Sequence, residues 1–372
     1  MIPLHKPFIS GNEIKYIEEV INTGELAGNG KYTEVCHDFF RKEFGFTHPK
    51  LTDSCTAALD MISILLNISP GDEVIVPSFT YITSANPFVL KGAKIVYADS
   101  LPDNPNMDPA QLLQLISKKT KAIVAMHYGG IACEMDEIMQ IANAHNIYVI
   151  EDAAHSLGAT YKGRYLGSIG HFGAFSFHAT KNITSGHGGL LVINDEKFVE
   201  RAEIIWEKGT NRKMFLDGEV NKYEWFDVGL SFYPSEITAA FLWAQLQQLL
   251  MINEERVKMW NYYFEALKNL PQVELPKVEN YAEHNAHLFF FKTENRQKRN
   301  VILHELKKNG IGAAFHYLAL HLSPFAKNAE TTKLENSENW ADGLIRIPLY
   351  YGLCENEQKM IVGQIKETVK TW

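Results

Sequence analysis

The chain has 372 residues, 46% of them hydrophobic and 22% charged, enough for one large domain or for a large domain joined to a smaller one. A net charge of −8, with Lys and Arg spread along the chain, leaves no basic stripe for a nucleic-acid backbone, and no apolar run is long enough to cross a bilayer. The four cysteines (Cys36, Cys55, Cys133 and Cys354) are far apart and form no CxxC pair, so neither a disulfide framework nor a thiolate metal site is expected.

The first residues, "MIPLHKPFISGNE", contain no apolar h-region, which predicts a cytoplasmic protein. "TDSCTAALDMISILL" (Thr52 to Leu66) reads as a helix opened by small residues. Apolar, β-branched runs then recur: "DEVIVPSF" (Asp72 to Phe79), "AKIVYAD" (Ala93 to Asp99), "KAIVAMHY" (Lys121 to Tyr128), "IYVIEDAA" (Ile147 to Ala154), "GAFSFH" (Gly173 to His178) and "GGLLVIND" (Gly188 to Asp195). Between them "DPAQLLQLIS" and "EMDEIMQIANAHN" carry helical spacing with acidic residues near the start. Strands alternating with helices predict the α/β class with a mostly parallel sheet buried on both faces. From Pro234 the chain turns helix-rich, and "NAHLFFFK" and "RIPLYYG" suggest a small α+β unit; the expected division is 1–250 for a large domain with an N-terminal arm and 251–372 for a small one.

Ligands of parallel α/β sheets bind at the carboxyl ends of the strands. Ser54, Cys55 and Thr56 stand before a helix, where backbone N–H groups and hydroxyls can meet a phosphate, or serve only as a helix cap. Asp152 ends an apolar strand, where a carboxylate needs a cation or a protonated ring nitrogen unless it too is a cap. Tyr81 offers an aromatic face or a core side chain. Lys181 follows the strand that contains Ser176. A lysine, a carboxylate and a phosphate cup on one sheet edge are what pyridoxal phosphate requires: a covalent anchor, a partner for the pyridine nitrogen and a seat for the phosphate.

"GDEVIVPSFTYITSAN", "GAKIVYAD", "EDAAHSLGATYKGRYLGSIGHFGAFSFHATKN", "KGTNR" and "FHYLALH" together resemble the sugar-nucleotide aminotransferases of the DegT/DnrJ/EryC1/StrS family, in order and spacing over nearly the whole chain. The resemblance implies the aspartate-aminotransferase (type I) fold and pyridoxal 5'-phosphate. It implies that Lys181 is the Schiff-base lysine, Asp152 the pyridine-nitrogen carboxylate and Tyr81 the ring-stacking aromatic. His155 falls near the ring oxygen, and Ser176, Thr56 and Ala57 at phosphate-binding positions. "HYGGIACEMDEIM", "SFHATKN" and "ITAAFLWAQL" are most similar to the branch making dTDP-4-amino-4,6-dideoxyhexoses, the enterobacterial common antigen type. That branch implies dTDP-4-keto-6-deoxy-D-glucose as acceptor, L-glutamate as donor, a surface polysaccharide as destination and a homodimer with shared active sites. Ser231 and part of "KGTNRKMF" would then serve the neighbouring subunit. His316 and Tyr317 become candidates for the sugar side, and Arg212, Lys213 and Arg164 for the diphosphate.

The chain departs from the family's pattern in reading "GLSFY" (Gly229 to Tyr233), with Ser231 where an Asn is usual, and in carrying His187 before the paired glycines and His171 in "GSIGHFG". A dehydratase of the same family would carry His in place of Lys181. The histidines His171, His178 and His187 have no metal-ligand spacing, so no metal is expected. A non-catalytic sugar-nucleotide sensor would have little reason to keep both Lys181 and Asp152, and a C3 aminotransferase differs only in regiochemistry.

Overall fold

The computed structural model describes residues 1–326 and 333–370. In chain order the strands are β1 (His48–Thr52), β2 (Glu73–Pro77), β3 (Lys94–Ala98), β4 (Thr120–Met126), β5 (Tyr148–Asp152), β6 (Thr160–Tyr161), β7 (Arg164–Tyr165), β8 (Phe172–Ser176), β9 (Gly189–Ile193), β10 (Ala282–Glu283), β11 (Phe289–Lys292) and β12 (Leu344–Ile347). The helices are α1 (Glu13–Thr23), α2 (Lys31–Phe44), α3 (Cys55–Leu65), α4 (Asn86–Leu90), α5 (Leu112–Leu115), α6 (Met135–Ala144), α7 (Val199–Trp206), α8 (Arg212–Leu216), α9 (Glu236–Leu246), α10 (Leu249–Leu267), α11 (Arg296–Lys308), α12 (Glu335–Gly343) and α13 (Glu355–Val369).

A seven-stranded sheet in the order β1-β9-β8-β5-β4-β2-β3 carries the molecule. The β3-β2-β4-β5-β8 pairings are parallel, while β9 runs against both β8 and β1. Alternate side chains supply two cores. Val74, Val124, Ile150 and Leu191 pack under α3 and α7, while Ile75, Ile123 and Val149 pack under α6 on the opposite face. Both faces are covered, which is why these strands read as nearly continuous apolar runs.

Each of the six expected strands is present. Strand β1, "HPKLT", carries no apolar run and is held by pairing with β9. The expected helix in "DPAQLLQLIS" shrinks to one turn at Pro109–Gln111 and the four residues of α5. There Ile116 is extended, and Ser117 and Thr120 close the turn that feeds β4. The long helical stretch after Pro234 is a pair, α9 and α10. Leu249 and Ile252 of α10 belong to the core of α2 and α9. Met259, Trp260, Tyr263 and Leu267 belong to a separate core with β11, β12, α11 and α13, into which Ile2 also inserts. The expected division at 250/251 falls at the start of this shared helix.

One buried carboxylate shapes the route into β8. Glu151 points to the face opposite Asp152 and accepts N–H bonds from Gly167, Ile169 and Gly170, each 2.7 Å, while His127 Nε2 lies 3.0 Å away. These bonds fix the turn from which β8 departs. Removing the acceptor leaves three buried donors unpaired, so Glu151→Ala is expected to lower the unfolding free energy by about 3–5 kcal/mol in denaturant titration. A loss below about 1 kcal/mol would show that water replaces it.

Candidate active site

The order of the sheet reverses between β2 and β4, so a crevice opens at the carboxyl edge there. In this crevice lies a cavity of about 500 Å³ whose walls include Ser54, Cys55, Thr56, Tyr81, Asp152, His155, Ser176, Lys181, His316 and Tyr317. Register brings them together. Met126 is opposite Asp152, Asp152 opposite Ala174, and Gly189 opposite both Ser176 and Thr52, so the strands end level with one another.

Helix α3 starts at this edge. The Ser54 hydroxyl accepts the Ala57 N–H at 3.0 Å, capping the helix. The N–H groups of Cys55 and Thr56, first in the helix, have no carbonyl within it to receive them, and both residues line the cavity. Ala57, also expected at a phosphate position, has its N–H engaged by the Ser54 cap. Gly189 permits the approach of β9 to this helix start: a Cβ there would stand 2.4 Å from Cys55 N and 2.3 Å from Ser54 C. Burial pushes the Cys55 thiol well up, so it is a small neutral wall residue. Ser176 Oγ accepts the His178 N–H at 3.4 Å.

Asp152 is buried and held from two sides, by the Ser84 hydroxyl at 2.6 Å and the Ala154 N–H at 3.2 Å; Thr80 Oγ1 lies 2.7 Å from Ser84 Oγ behind it. Burial pushes the Lys181 ammonium down to about 8; Asp152 opposes the fall and the charge of Arg346 adds to it. Lys181 is thus an amine that exchanges its proton near neutrality. Its neighbour Asn182 anchors the loop by donating to Asn253 Oδ1 at 2.8 Å and to the Asn285 carbonyl at 3.0 Å.

Burial lowers the imidazoles of His155, His287 and His316. Burial, with Lys181 and His287 adding, holds His155 well below the usual range. His155 Nδ1 accepts the Gly129 N–H at 3.2 Å, so its proton sits on Nε2. Its ring stacks on His287 with centroids 4.2 Å apart, and His287 Nδ1 lies 3.0 Å from Asn182 Oδ1. His316 is driven far down by burial first and then by Arg346 and Lys181. Its ring lies flat on Tyr317 at 4.1 Å, and Tyr317 in turn meets Tyr81 at 5.9 Å. Tyr81 itself is 53% exposed.

Other candidates lie elsewhere. Ser231 is exposed and bridges to Glu207, away from this chain's cavity. Arg212 reaches Glu207 at 3.5 Å, Lys213 reaches Glu203, and Arg164 is paired with Asp136 at 2.6 Å. His171 packs edge-on to Tyr148 and accepts the Val149 N–H, whereas His178 and His187 stand at the cavity wall with centroids 6.1 Å apart. Sequence reasoning missed Arg256, His287 and Arg346 on the same walls. The signal for Arg346 was present: an arginine inside the apolar strand "LIRIPL".

Comparison with known proteins agrees with this geometry. The DegT/DnrJ/EryC1/StrS aminotransferase family profile matches residues 7–366. The chain is 31% identical to GDP-perosamine synthase of Caulobacter vibrioides over 375 residues, covering 99% of this chain and 98% of that one. It is 30% identical to the spore coat polysaccharide biosynthesis protein SpsC of Bacillus subtilis over 383 residues, with 99% and 97% covered. In structure it is similar to the PMP form of a putative sugar aminotransferase from Streptococcus pneumoniae, at a TM-score of 0.93 and 27% identity with both chains fully covered. The PLP form of that protein matches at a TM-score of 0.92. The chain belongs to the DegT/DnrJ/EryC1/StrS aminotransferase family and is a pyridoxal-phosphate-dependent aminotransferase.

Proposed function

We propose that this enzyme moves the amino group of L-glutamate to C4 of dTDP-4-keto-6-deoxy-D-glucose, giving a dTDP-4-amino-4,6-dideoxyhexose for a surface polysaccharide. The observation that carries the transamination is the pairing of a lysine amine near 8 with a fixed carboxylate on one cavity wall. The sugar class is supported by relatives named for perosamine and spore-coat polysaccharide synthesis. The dTDP carrier and the C4 position rest on the sequence motifs of the common antigen branch.

The cavity fits pyridoxal phosphate. Cys55 and Thr56 N–H groups with the hydroxyls of Thr56 and Ser176 would hold the phosphate, Tyr81 would cover the ring, Asp152 would hold a proton on the ring nitrogen and His155 Nε2–H would face the ring oxygen. When bound, the cofactor supplies an aldehyde that captures amines and a ring that accepts the electrons of the broken C–H bond. The protein supplies the proton traffic. Lys181 Nζ takes the α-proton from the amino donor, and in the return half it hands a proton to the sugar carbon that gains the amine. Ser84 and Ala154 keep the Asp152 carboxylate turned toward the ring site throughout.

The site is shared between two copies in this reading. Tyr223, Trp225, Phe226, Val228 and Leu230 form an exposed apolar run, Trp225 being 81% exposed, directly before Ser231. Such an exposed apolar run is suited to burial against a second copy.

Lys181→Ala is expected to abolish turnover, by at least about 10⁴-fold, while leaving the thermal midpoint within a few degrees. Residual turnover within tenfold of wild type would remove Lys181 from the mechanism. In the wild-type apoprotein, amine-directed acylation should reach half its maximal rate at Lys181 near pH 8, below which the amine is protonated, while surface lysines respond near 10.4. Trp225→Asp should convert a dimer into a monomer in light scattering and weaken cofactor retention; a wild-type monomer contradicts the shared site.

A further inference from the structure

One turn of the chain reaches the site from the second core. Residues Asn285 to His287 lie between β10 and β11, and the middle one, Ala286, holds a left-handed backbone at φ +50° although it carries a side chain and is fully buried. A residue other than glycine keeps that conformation only where its surroundings impose it, and such positions gather at functional sites. Three groups impose it here. The Arg256 guanidinium, on α10, donates to the carbonyls of Ala286 and His287 at 3.1 and 2.7 Å. His284 Nδ1 accepts the Ala286 N–H at 3.1 Å. Asn285 Oδ1 accepts the His287 N–H at 3.1 Å, while its amide donates to the carbonyls of His155 and Leu157 at 2.9 and 3.0 Å.

The consequence is the placement of the His287 imidazole. Its Nδ1 lies 3.0 Å from Asn182 Oδ1, an oxygen that only accepts, so His287 Nδ1 carries the proton and donates it. The amide nitrogen of Asn182 already gives its hydrogens to Asn253 Oδ1 and the Asn285 carbonyl. The face of the His287 ring stacks on His155, with centroids 4.2 Å and planes 29° apart. One side chain therefore touches the neighbours of two working groups: Asn182, which follows Lys181, and His155, whose Nδ1 is already fixed by the Gly129 N–H.

We propose that His287 is a positioning residue for the transfer: its Nδ1–H sets the Lys181 loop and its ring sets the plane of His155, keeping the lysine amine and the His155 N–H at a fixed spacing. This rests on the aminotransferase reading of the cavity. The spacing matters because both groups act on one small molecule, where a displacement of about 1 Å costs roughly a hundredfold in rate. The strained turn at Ala286 is the means by which the second core delivers that side chain.

Two substitutions separate the two contacts. His287→Asn keeps an N–H where Nδ1 stands and removes the ring, whereas His287→Phe keeps a ring against His155 and removes the N–H. In the His287→Phe apoprotein the Lys181 loop loses a buried tie and water reaches the amine, so the midpoint for acylation of Lys181 should rise from near pH 8 by about one pH unit. His287→Asn should leave that midpoint in place and instead shift the visible absorption maximum of the bound cofactor, which His287→Phe should leave at the wild-type position. In both, kcat should fall at least about tenfold in each half-reaction while KM stays within about threefold. Cys55, Asp152, His155, His178, His316 and Arg346, which also face Lys181, are unchanged by either substitution. Asn182→Ala removes the same tie from its other end and should raise the acylation midpoint as His287→Phe does, so the proposal stays testable even where His287→Phe does not fold. A lowered thermal midpoint with unchanged acylation midpoint, spectrum and kcat would mark a purely structural side chain and overturn the assignment. Identical behaviour of His287→Asn and His287→Phe would overturn it as well. A loaded wild-type enzyme that transfers no amine would overturn the underlying reading instead, and the apoprotein midpoints would still decide whether His287 holds the Lys181 loop.

Discussion

The site depends on one electrostatic constraint: a lysine amine and a carboxylate must share a buried cavity without either surrendering its chemistry. Burial lowers the Lys181 ammonium to about 8, and the opposing charge of Asp152 limits the fall. Asp152 in turn keeps its place because Ser84 and Ala154 donate to it. The level ends of β1, β4, β5 and β8 are what allow residues from four strands to meet within one cavity.

The surrounding architecture protects that arrangement. Glu151, one residue before Asp152 and on the other face of the sheet, gathers three backbone N–H groups and so fixes the start of β8. Asn182, one residue after Lys181, ties the lysine loop to Asn253 on α10 and to the segment at Asn285. Through Asn253, beside Ile252 of the α2 and α9 core, and Asn285, beside Ala286 of the β11 and β12 core, both of these cores reach the Lys181 loop. Motion of the second core relative to the first would be felt at Lys181 through these few hydrogen bonds.

The strands and most of the cavity were legible because they follow from local rules. Apolar runs covered on both faces mark parallel strands, and the residues that end them are those the sheet delivers to its carboxyl edge. What was not legible depends on partners distant in sequence. Strand β1 has no apolar run and exists through pairing with β9. The segment after Asp108 has helical spacing but is cut short by the turn into β4. Arg346 lies in an apolar strand, and its place at the cavity appears only when the Ala314 segment, His316 and Tyr317 close around it. Ser231 and Arg212 lie off the cavity of their own chain, where sequence alone could place them only through a second copy.

The most direct measurement is a single exposure of cofactor-loaded enzyme to L-glutamate with no sugar present, followed by assay of 2-oxoglutarate. One equivalent per active site should be released, with loss of the cofactor's visible band, and that band should recover when the keto sugar is added. Cofactor-saturated enzyme that releases no 2-oxoglutarate and keeps its spectrum would contradict it.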